Sequence, residues 1–373
     1  MLQDIDTPAL LLDEAKVKRN CERMRSRVQS QGATLRPHVK TAKNVEVAQL
    51  ALGAETGPIT VSTVREAEYF FDHGFRDILY AVGIVPGKVR RLARLAARGA
   101  RVTVIVDSVE GARALRESAS LQQAPLRALI EIDSDGHRAG IRPGEGALFQ
   151  VAEVLGPALD GVMTHAGDSY NCASVDEIRE VAERERRSVV ESAGALRARG
   201  FASPVVSVGS TPTATFALSF AGVSEVRAGV HVFHDLVMAG LGVCALDDIA
   251  VSVLASVIGH QREKGWILTD AGWMALSRDR GTAKQKIDQG YGLVCDADCR
   301  PLEELVTIDA NQEHGIVARR DGGPIDFARY PVGSLLRILP NHACATAAQH
   351  AEYHVIRDGE MVATWERFGY CAI

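Results

Sequence analysis

No stretch of this 373-residue chain approaches 18 consecutive apolar residues, the length a helix needs to cross a bilayer. No basic segment followed by an apolar one stands near its start, so neither a membrane span nor a signal peptide is expected. Charge of one sign is also scarce. A net charge of −5 offers no electrostatic grip on nucleic acid or on an anionic membrane surface. The seven cysteines are odd in number and widely scattered, which excludes a disulfide framework and points to reduced thiols in the cytoplasm. Internal repeats, low-complexity tracts and long linkers are absent as well. What remains is an ordinary globular composition, 46% apolar and 24% charged, long enough for one large domain and a smaller one.

From residue 33 to about 232, short β-rich runs alternate with amphipathic helical stretches. The runs are 34–40, 58–62, 77–82, 101–106, 127–132, 161–165, 204–208 and 225–230, and helices such as 45–54, 64–73, 88–98 and 178–199 lie between them. Strand, helix, strand at this rhythm means parallel pairing, and eight such units predict an α/β fold closed as a (β/α)8 TIM barrel. An open doubly wound sheet is the rival, but it wants a glycine-rich turn after its first strand. Lys40-Thr41-Ala42-Lys43-Asn44 has no glycine. Beyond Gly240 the long helices stop, and 250–259, 265–271, 305–309, 316–319, 334–339 and 361–365 read as strands of a mainly antiparallel β domain. The expected division is a barrel over 10–235 and a β domain formed by 1–9 with 236–373.

A TIM barrel carries its chemistry at the C-terminal strand ends, with phosphate commonly bound after strands seven and eight. Lys40 lies at the end of the first run, where an apolar setting favours a neutral, Schiff-base-forming amine. An isolated lysine there is ordinarily just a surface residue. Val208-Gly209-Ser210-Thr211-Pro212-Thr213 follows the seventh run. Gly209 allows close backbone approach, Thr211 is placed to cap the next helix, and Pro212 suits its first turn, together making an anion site. The eighth run carries Arg227-Ala228-Gly229-Val230. The fifth ends at Asp135-Gly136-His137-Arg138, and the sixth at His165 and Tyr170. His165 alone would be an ordinary core histidine. Lysine, arginine, histidine, tyrosine and a phosphate cradle at one barrel mouth suit a phosphorylated aldehyde, pyridoxal 5′-phosphate (PLP). In the second domain, His342 and Cys344 sit two apart on an expected strand, which would turn both toward one ion such as Zn²⁺. A bare H-x-C is weak on its own. Cys295 and Cys299 form a weaker competing pair in a polar turn.

These segments, together with Asp6-Thr7-Pro8-Ala9-Leu10, Arg36-Pro37-His38-Val39-Lys40-Thr41, Thr164-His165-Ala166-Gly167, Asp270-Ala271-Gly272-Trp273, Gln312-Glu313-His314-Gly315 and Pro340-Asn341-His342-Ala343-Cys344, resemble a known family. It is the metal-activated D-amino-acid lyases of PLP fold type III: D-serine dehydratase, D-threo-3-hydroxyaspartate dehydratase and D-threonine aldolase. The likeness spans nearly the whole chain and is nearest to the D-threo-3-hydroxyaspartate dehydratase branch. It implies an alanine-racemase-like barrel and a dehydratase that eliminates water from D-3-hydroxy amino acids, giving a 2-oxo acid and ammonia. It further implies that Lys40 holds PLP and acts as the base, with Arg138 at the phenolic oxygen or substrate carboxylate. His165 would lie beneath the pyridine ring, and Arg227 near its nitrogen. Ser210, Thr211, Gly229 and Val230 would cradle the phosphate, and Tyr170 would line the substrate side. His342 and Cys344 would bind a divalent metal (Zn, Mn or Co), with Glu313 and His314 behind them. A homodimer is implied by family and not by composition. The aldolases tend toward His-x-Asp where this chain has His-x-Cys, which favours dehydration over retro-aldol cleavage. A racemase would need a second acid/base, and a non-catalytic PLP carrier leaves the β domain unexplained.

Overall fold

The computed structural model describes residues 2–121 and 126–369. Its strands, in chain order, are β1 (Ala9–Asp13), β2 (Thr34–Pro37), β3 (Pro58–Val61), β4 (Asp77–Gly83), β5 (Arg101–Val106), β6 (Arg127–Glu131), β7 (Leu159–Met163), β8 (Val205–Val208) and β9 (Glu225–Ala228), followed by β10 (Val251–Gln261), β11 (Trp266–Thr269), β12 (Leu293–Cys295), β13 (Pro301–Ala310), β14 (Gly315–Arg319), β15 (Leu335–Leu339), β16 (Glu352–Arg357) and β17 (Glu360–Glu366). The helices are α1 (Glu14–Ser30), α2 (Val45–Leu52), α3 (Val64–Asp72), α4 (Pro86–Ala97), α5 (Val109–Leu121), α6 (Ala147–Leu155), α7 (Val175–Ala198), α8 (Thr211–Phe216), α9 (Leu236–Gly240), α10 (Trp273–Leu276) and α11 (Ala343–Ala347). The chain divides into two compact units, Cys21–Gly229 and Met1–Asn20 with Val230–Ile373.

The unit Cys21–Gly229 is the barrel. Strands β2 to β9 pair in parallel in the order β2-β9-β8-β7-β6-β5-β4-β3. The two ends meet at one parallel bridge, His38 to Thr60, where the Val39 N–H donates to the Thr60 carbonyl at 2.9 Å. Every strand expected from sequence is present. They read clearly because a parallel strand is covered on both faces and becomes an unbroken apolar run. In β5, the five residues after Arg101 are all buried. Helix α3 shows how the outer ring is set: Thr63 and Glu66 form a reciprocal capping box, and Val64, Ala67, Phe70 and Phe71 face inward. Leu79, Ile105, Leu129 and Met163 make one apolar cluster from four adjacent strands. Toward the strand starts, Arg36 pairs with Glu225 at 2.7 Å and Asp77 at 2.9 Å. A buried, doubly paired guanidinium at that end serves the fold.

In the other unit, β10, β11, β14, β13, β12 and β15 pair successively and return to β10, and β1, β16 and β17 extend the sheet beyond it. All pairs are antiparallel except β1 with β16. The 11-residue β10 partners β1, β11 and β15, and its register shift at Val257/Gly259 is the local bend a bulge supplies. Strands β1, β12 and β16 are additions to the sequence expectation. β1 pairs with β10 and β16, so residues 10–13 belong to this sheet and not to the barrel. Among the described residues, no helix is long and apolar enough to cross a membrane.

Candidate active site

At the C-terminal ends of the barrel strands, the chain beyond β2 does not continue to Lys40 as a strand. His38 bridges to Thr60 and the next residues turn, with the Lys43 N–H donating to the Val39 carbonyl at 2.8 Å. Val39 is buried and Lys40 is exposed. The desolvated strand-end lysine expected from sequence is therefore corrected to an exposed lysine on a turn, because Val39 takes the inward position. The neighbouring Lys43 is buried and paired with Glu66 at 3.1 Å, which occupies its amine.

His38 and His165 share the field of Lys40 and Arg227. Burial, with Lys40, Arg227 and His165 adding to it, holds the His38 imidazole well below its ordinary range. Burial likewise brings His165 down to about 4, against an opposing hydrogen bond and with the help of Lys40, Arg227 and Arg138. That hydrogen bond runs from His165 Nδ1 to the Gly209 carbonyl at 2.8 Å, and leaves Nε2 as the unprotonated nitrogen. Arg227 is buried and donates to the Ser207 hydroxyl and the Thr164 carbonyl. Arg138 is exposed, 3.7 Å from Glu131. The Tyr170 ring lies 6.4 Å from that of His165. The structure thus gathers Lys40, Arg138, His165, Tyr170 and Arg227.

The loop after β8 differs from expectation by one residue. Ser210, not Thr211, caps α8, accepting from the Thr213 N–H at 3.2 Å. Pro212 sits in the first turn, where its missing N–H is no loss. Thr211 is left with a buried Oγ1 that has no hydrogen-bond partner, although buried hydroxyls are normally satisfied. Gly209 has φ 147°, and a Cβ there would run into the Arg227 backbone carbonyl. At Gly229 a Cβ would stand 3.0 Å from the His38 carbonyl and 3.1 Å from Thr41 Oγ1. Val230 lies past the unit boundary, opening the one-turn helix Val230–Val232.

Glu185 of α7 went unread in the sequence. Its buried carboxylate accepts from the N–H of Gly209 at 2.8 Å and of Ala166 at 3.2 Å, tying together the loops after β7 and β8. Burial pushes its pKa up. The available signal was an acid on the apolar stripe Val181–Glu185–Val189.

In the other unit, His342 and Cys344 come together, but not on a strand. β15 ends at Leu339, His342 is the extended N-cap of α11, and Cys344 lies in that helix's first turn. The alanine-rich segment Ala343–Ala347 favours helix, and Asp235 supports its start by accepting the Ala343 N–H at 3.0 Å. His342 lies in the electrostatic reach of Cys344 and donates from Nδ1 to Asp279 Oδ2 at 2.6 Å. Burial opposes the imidazolium, yet Asp279, Cys344 and Asp235 outweigh it and push the pKa up to about 11. Glu313 and His314 are exposed in the β13–β14 hairpin. The carboxylate behind His342 is Asp279, in their place. Among the described residues, no three His, Cys, Asp or Glu side chains gather as a metal cluster.

Residues 12–236 match the family described as "Alanine racemase, N-terminal domain", and 250–356 match the "Putative serine dehydratase domain". D-threo-3-hydroxyaspartate dehydratase of Delftia sp. is 51% identical over 98% of both chains. Solved structures under that enzyme's name include a histidine-to-alanine variant and a cysteine-to-alanine variant in the metal-free form. Each has a TM-score of 0.97 at 50% identity, covering 99% of this chain and 96% and 99% of the solved chains respectively. D-serine dehydratase of Dictyostelium discoideum is 32% identical over 97% of this chain and 96% of its own. D-threonine aldolase of Arthrobacter sp. is 28% identical over 98% and 93%. The chain belongs to the family of D-threo-3-hydroxyaspartate and D-serine dehydratases, in which an alanine-racemase N-terminal domain is joined to a dehydratase domain.

Proposed function

We propose that this protein is a PLP- and divalent-metal-dependent lyase that removes water from D-3-hydroxy amino acids, D-threo-3-hydroxyaspartate and D-serine, giving a 2-oxo acid and ammonia. The observation that carries the PLP assignment is the buried, unpartnered Thr211 Oγ1 beside the cradle of Gly209, Ser210 and Gly229. A donor hydroxyl held ready in a glycine-lined turn fits a phosphate oxygen. The donor set of His342 and Cys344, backed by the Asp279 carboxylate, fits a borderline divalent metal. The cysteine variant solved in metal-free form supports this, since the histidine and cysteine substituted in that relative are also two positions apart.

When bound, PLP supplies the electron sink for the substrate's α-carbon, and the metal supplies Lewis acidity for the departing hydroxide. Lys40 would hold the cofactor through Nζ, and the same amine would take the substrate's α-proton. Arg227 has donors only, so beside the pyridine nitrogen it would favour an unprotonated ring. His165, neutral and fixed by Gly209, would lie against the ring. Ser210, Thr211, Gly229 and Val230 hold the phosphate. Arg138 meets the phenolic oxygen or the substrate carboxylate, and Tyr170 lines the substrate side. His342 and Cys344 would hold the metal, with Asp279 orienting the imidazole through Nδ1. The protein acts in the cytoplasm as a homodimer.

The test is a panel of D- and L-serine, D- and L-threonine and D-threo-3-hydroxyaspartate, scored for ammonia, oxo acid and glycine. Ammonia and oxo acid from D-isomers are expected. Glycine with an aldehyde would establish the aldolase reaction instead.

A further inference from the structure

Cys295 ends β12, and Cys299 stands four residues on, in the loop that returns the chain to β13. Cys295 pairs in register with Pro301, so residues 296–300 make the whole reversal. Asp296 pins the loop: its N–H donates to the Arg300 carbonyl at 3.0 Å, its carbonyl accepts the Cys299 N–H at 3.0 Å, and its carboxylate accepts the Arg300 N–H at 2.8 Å. Cys299 consequently sits at φ 66°, in the left-handed region that glycine, asparagine and aspartate normally fill. A cysteine gains nothing from that backbone state. Its side chain does, because it packs with Cys295, Leu293 and Leu339 in one apolar cluster.

Two further features separate the possible uses of such a pair. Arg337 is the cross-strand partner of Cys295, and it is buried. Side chains directly opposite share a face of the sheet, so a fixed positive charge lies by the sulfurs, which disfavours a divalent cation and favours a thiolate. In addition, no third His, Cys, Asp or Glu among the described residues completes a metal cluster there. The sulfurs are also unequal. Cys295 is buried and Cys299 half-buried. The neighbouring Cys295, together with Arg337 and Lys16, draws the Cys299 thiol below its usual range, while Cys299 and burial push Cys295 up.

We propose that Cys295 and Cys299 form a reversible dithiol–disulfide site, oxidised by a low-molecular-weight disulfide. Cys299 thiolate attacks one sulfur of the oxidant, forming a mixed disulfide and releasing one thiol. Cys295, giving up its proton, then attacks the Cys299 sulfur and releases the second thiol. Two protein thiols are oxidised, one disulfide is reduced to two thiols, and the two protons leave on those thiols.

The test treats the metal-loaded holoenzyme with glutathione disulfide, quenches with acid, alkylates after unfolding, and weighs the tryptic peptide 287–319, which holds both cysteines because the Arg300–Pro301 bond resists trypsin. The expected wild-type product is the internally cross-linked peptide, two hydrogens lighter than the reduced form, without a lasting glutathione adduct. Cys295→Ser should trap glutathione on Cys299, and Cys299→Ser should leave Cys295 reduced. A persistent Cys299 adduct in wild type would overturn the proposal. So would full alkylation of both thiols at oxidant levels that trap glutathione on Cys299 in Cys295→Ser. Added zinc shielding both thiols would make the pair a metal site and equally overturn it.

Discussion

His342 and Asp279, 63 residues apart in the chain, are joined by a 2.6 Å hydrogen bond from the imidazole Nδ1 to a carboxylate oxygen. The bond directs the Nδ1 proton to Asp279, so Nε2 is the nitrogen that a metal would take, in place of the proton that the raised pKa keeps there. Removing a carboxylate of this kind typically weakens metal binding about 10–100-fold. Asp279→Ala should therefore raise the metal dissociation constant by that factor in a titration of chelated protein, with the thermal unfolding of the metal-free form little changed. Unaltered affinity would assign Asp279 a purely structural role.

Thr211→Val separates a cofactor contact from a packing role. The hydroxyl oxygen is buried without a partner, so replacing it with a methyl should leave the cofactor-free protein as stable as wild type, or more stable by up to about 1 kcal/mol. A hydrogen bond to a charged group contributes about 1.5–3 kcal/mol, so PLP affinity, read by absorbance titration, should fall by about 10–100-fold. Lower stability at unchanged affinity would contradict the phosphate assignment.

Lys40 and Lys43 are three residues apart, but only Lys43 is committed, to Glu66 at 3.1 Å. Borohydride reduction of the holoenzyme followed by peptide mapping should find the pyridoxyl label on Lys40. Lys40→Ala should abolish both the visible cofactor absorption and the activity. A label on Lys43 would reverse the assignment.

His38 and His165 both have folded pKa values below the ordinary 6.5, His165 at about 4, with burial the leading cause. The unfolded chain therefore binds more protons in acid, and stability is lost as pH falls from about 6.5 toward 4. For His165, the loss is on the order of 2–3 kcal/mol. Urea unfolding of wild type and of the His38→Asn, His165→Asn double variant should show a flatter pH dependence for the variant across that window. Parallel curves would place the acid sensitivity elsewhere.

The legible parts of this protein were those written locally. The barrel strands show in sequence because burial on both faces favours near-continuous apolar runs, as in the five residues after Arg101 in β5. Lys40, Arg138 and His165 show because they follow strand ends, and Arg227 because it sits in the last half of β9. H-x-C identified a pair that does meet, although by a helix start and not by strand alternation. Residues reaching across long intervals were not legible: Glu185 to Gly209, Asp279 to His342 and Asp235 to Ala343 are set by tertiary folding. The one-residue error at Ser210 and Thr211 arose because both are good caps, and only the bond to Thr213 distinguishes them. Exposure of Lys40 turned on Val39 taking the inward position.

The central claim is elimination of water assisted by a metal at His342 and Cys344. Its most direct test is the ratio of ammonia to glycine released from D-threo-3-hydroxyaspartate by the PLP-loaded enzyme, before and after chelation and in Cys344→Ala. The expected result is one ammonia and one 2-oxo acid per substrate without glycine. Chelation and Cys344→Ala should each remove that activity while the cofactor absorption persists, and added metal should restore it only to the wild type. Glycine as the main product, or full ammonia release with metal shown to be absent, would contradict the claim.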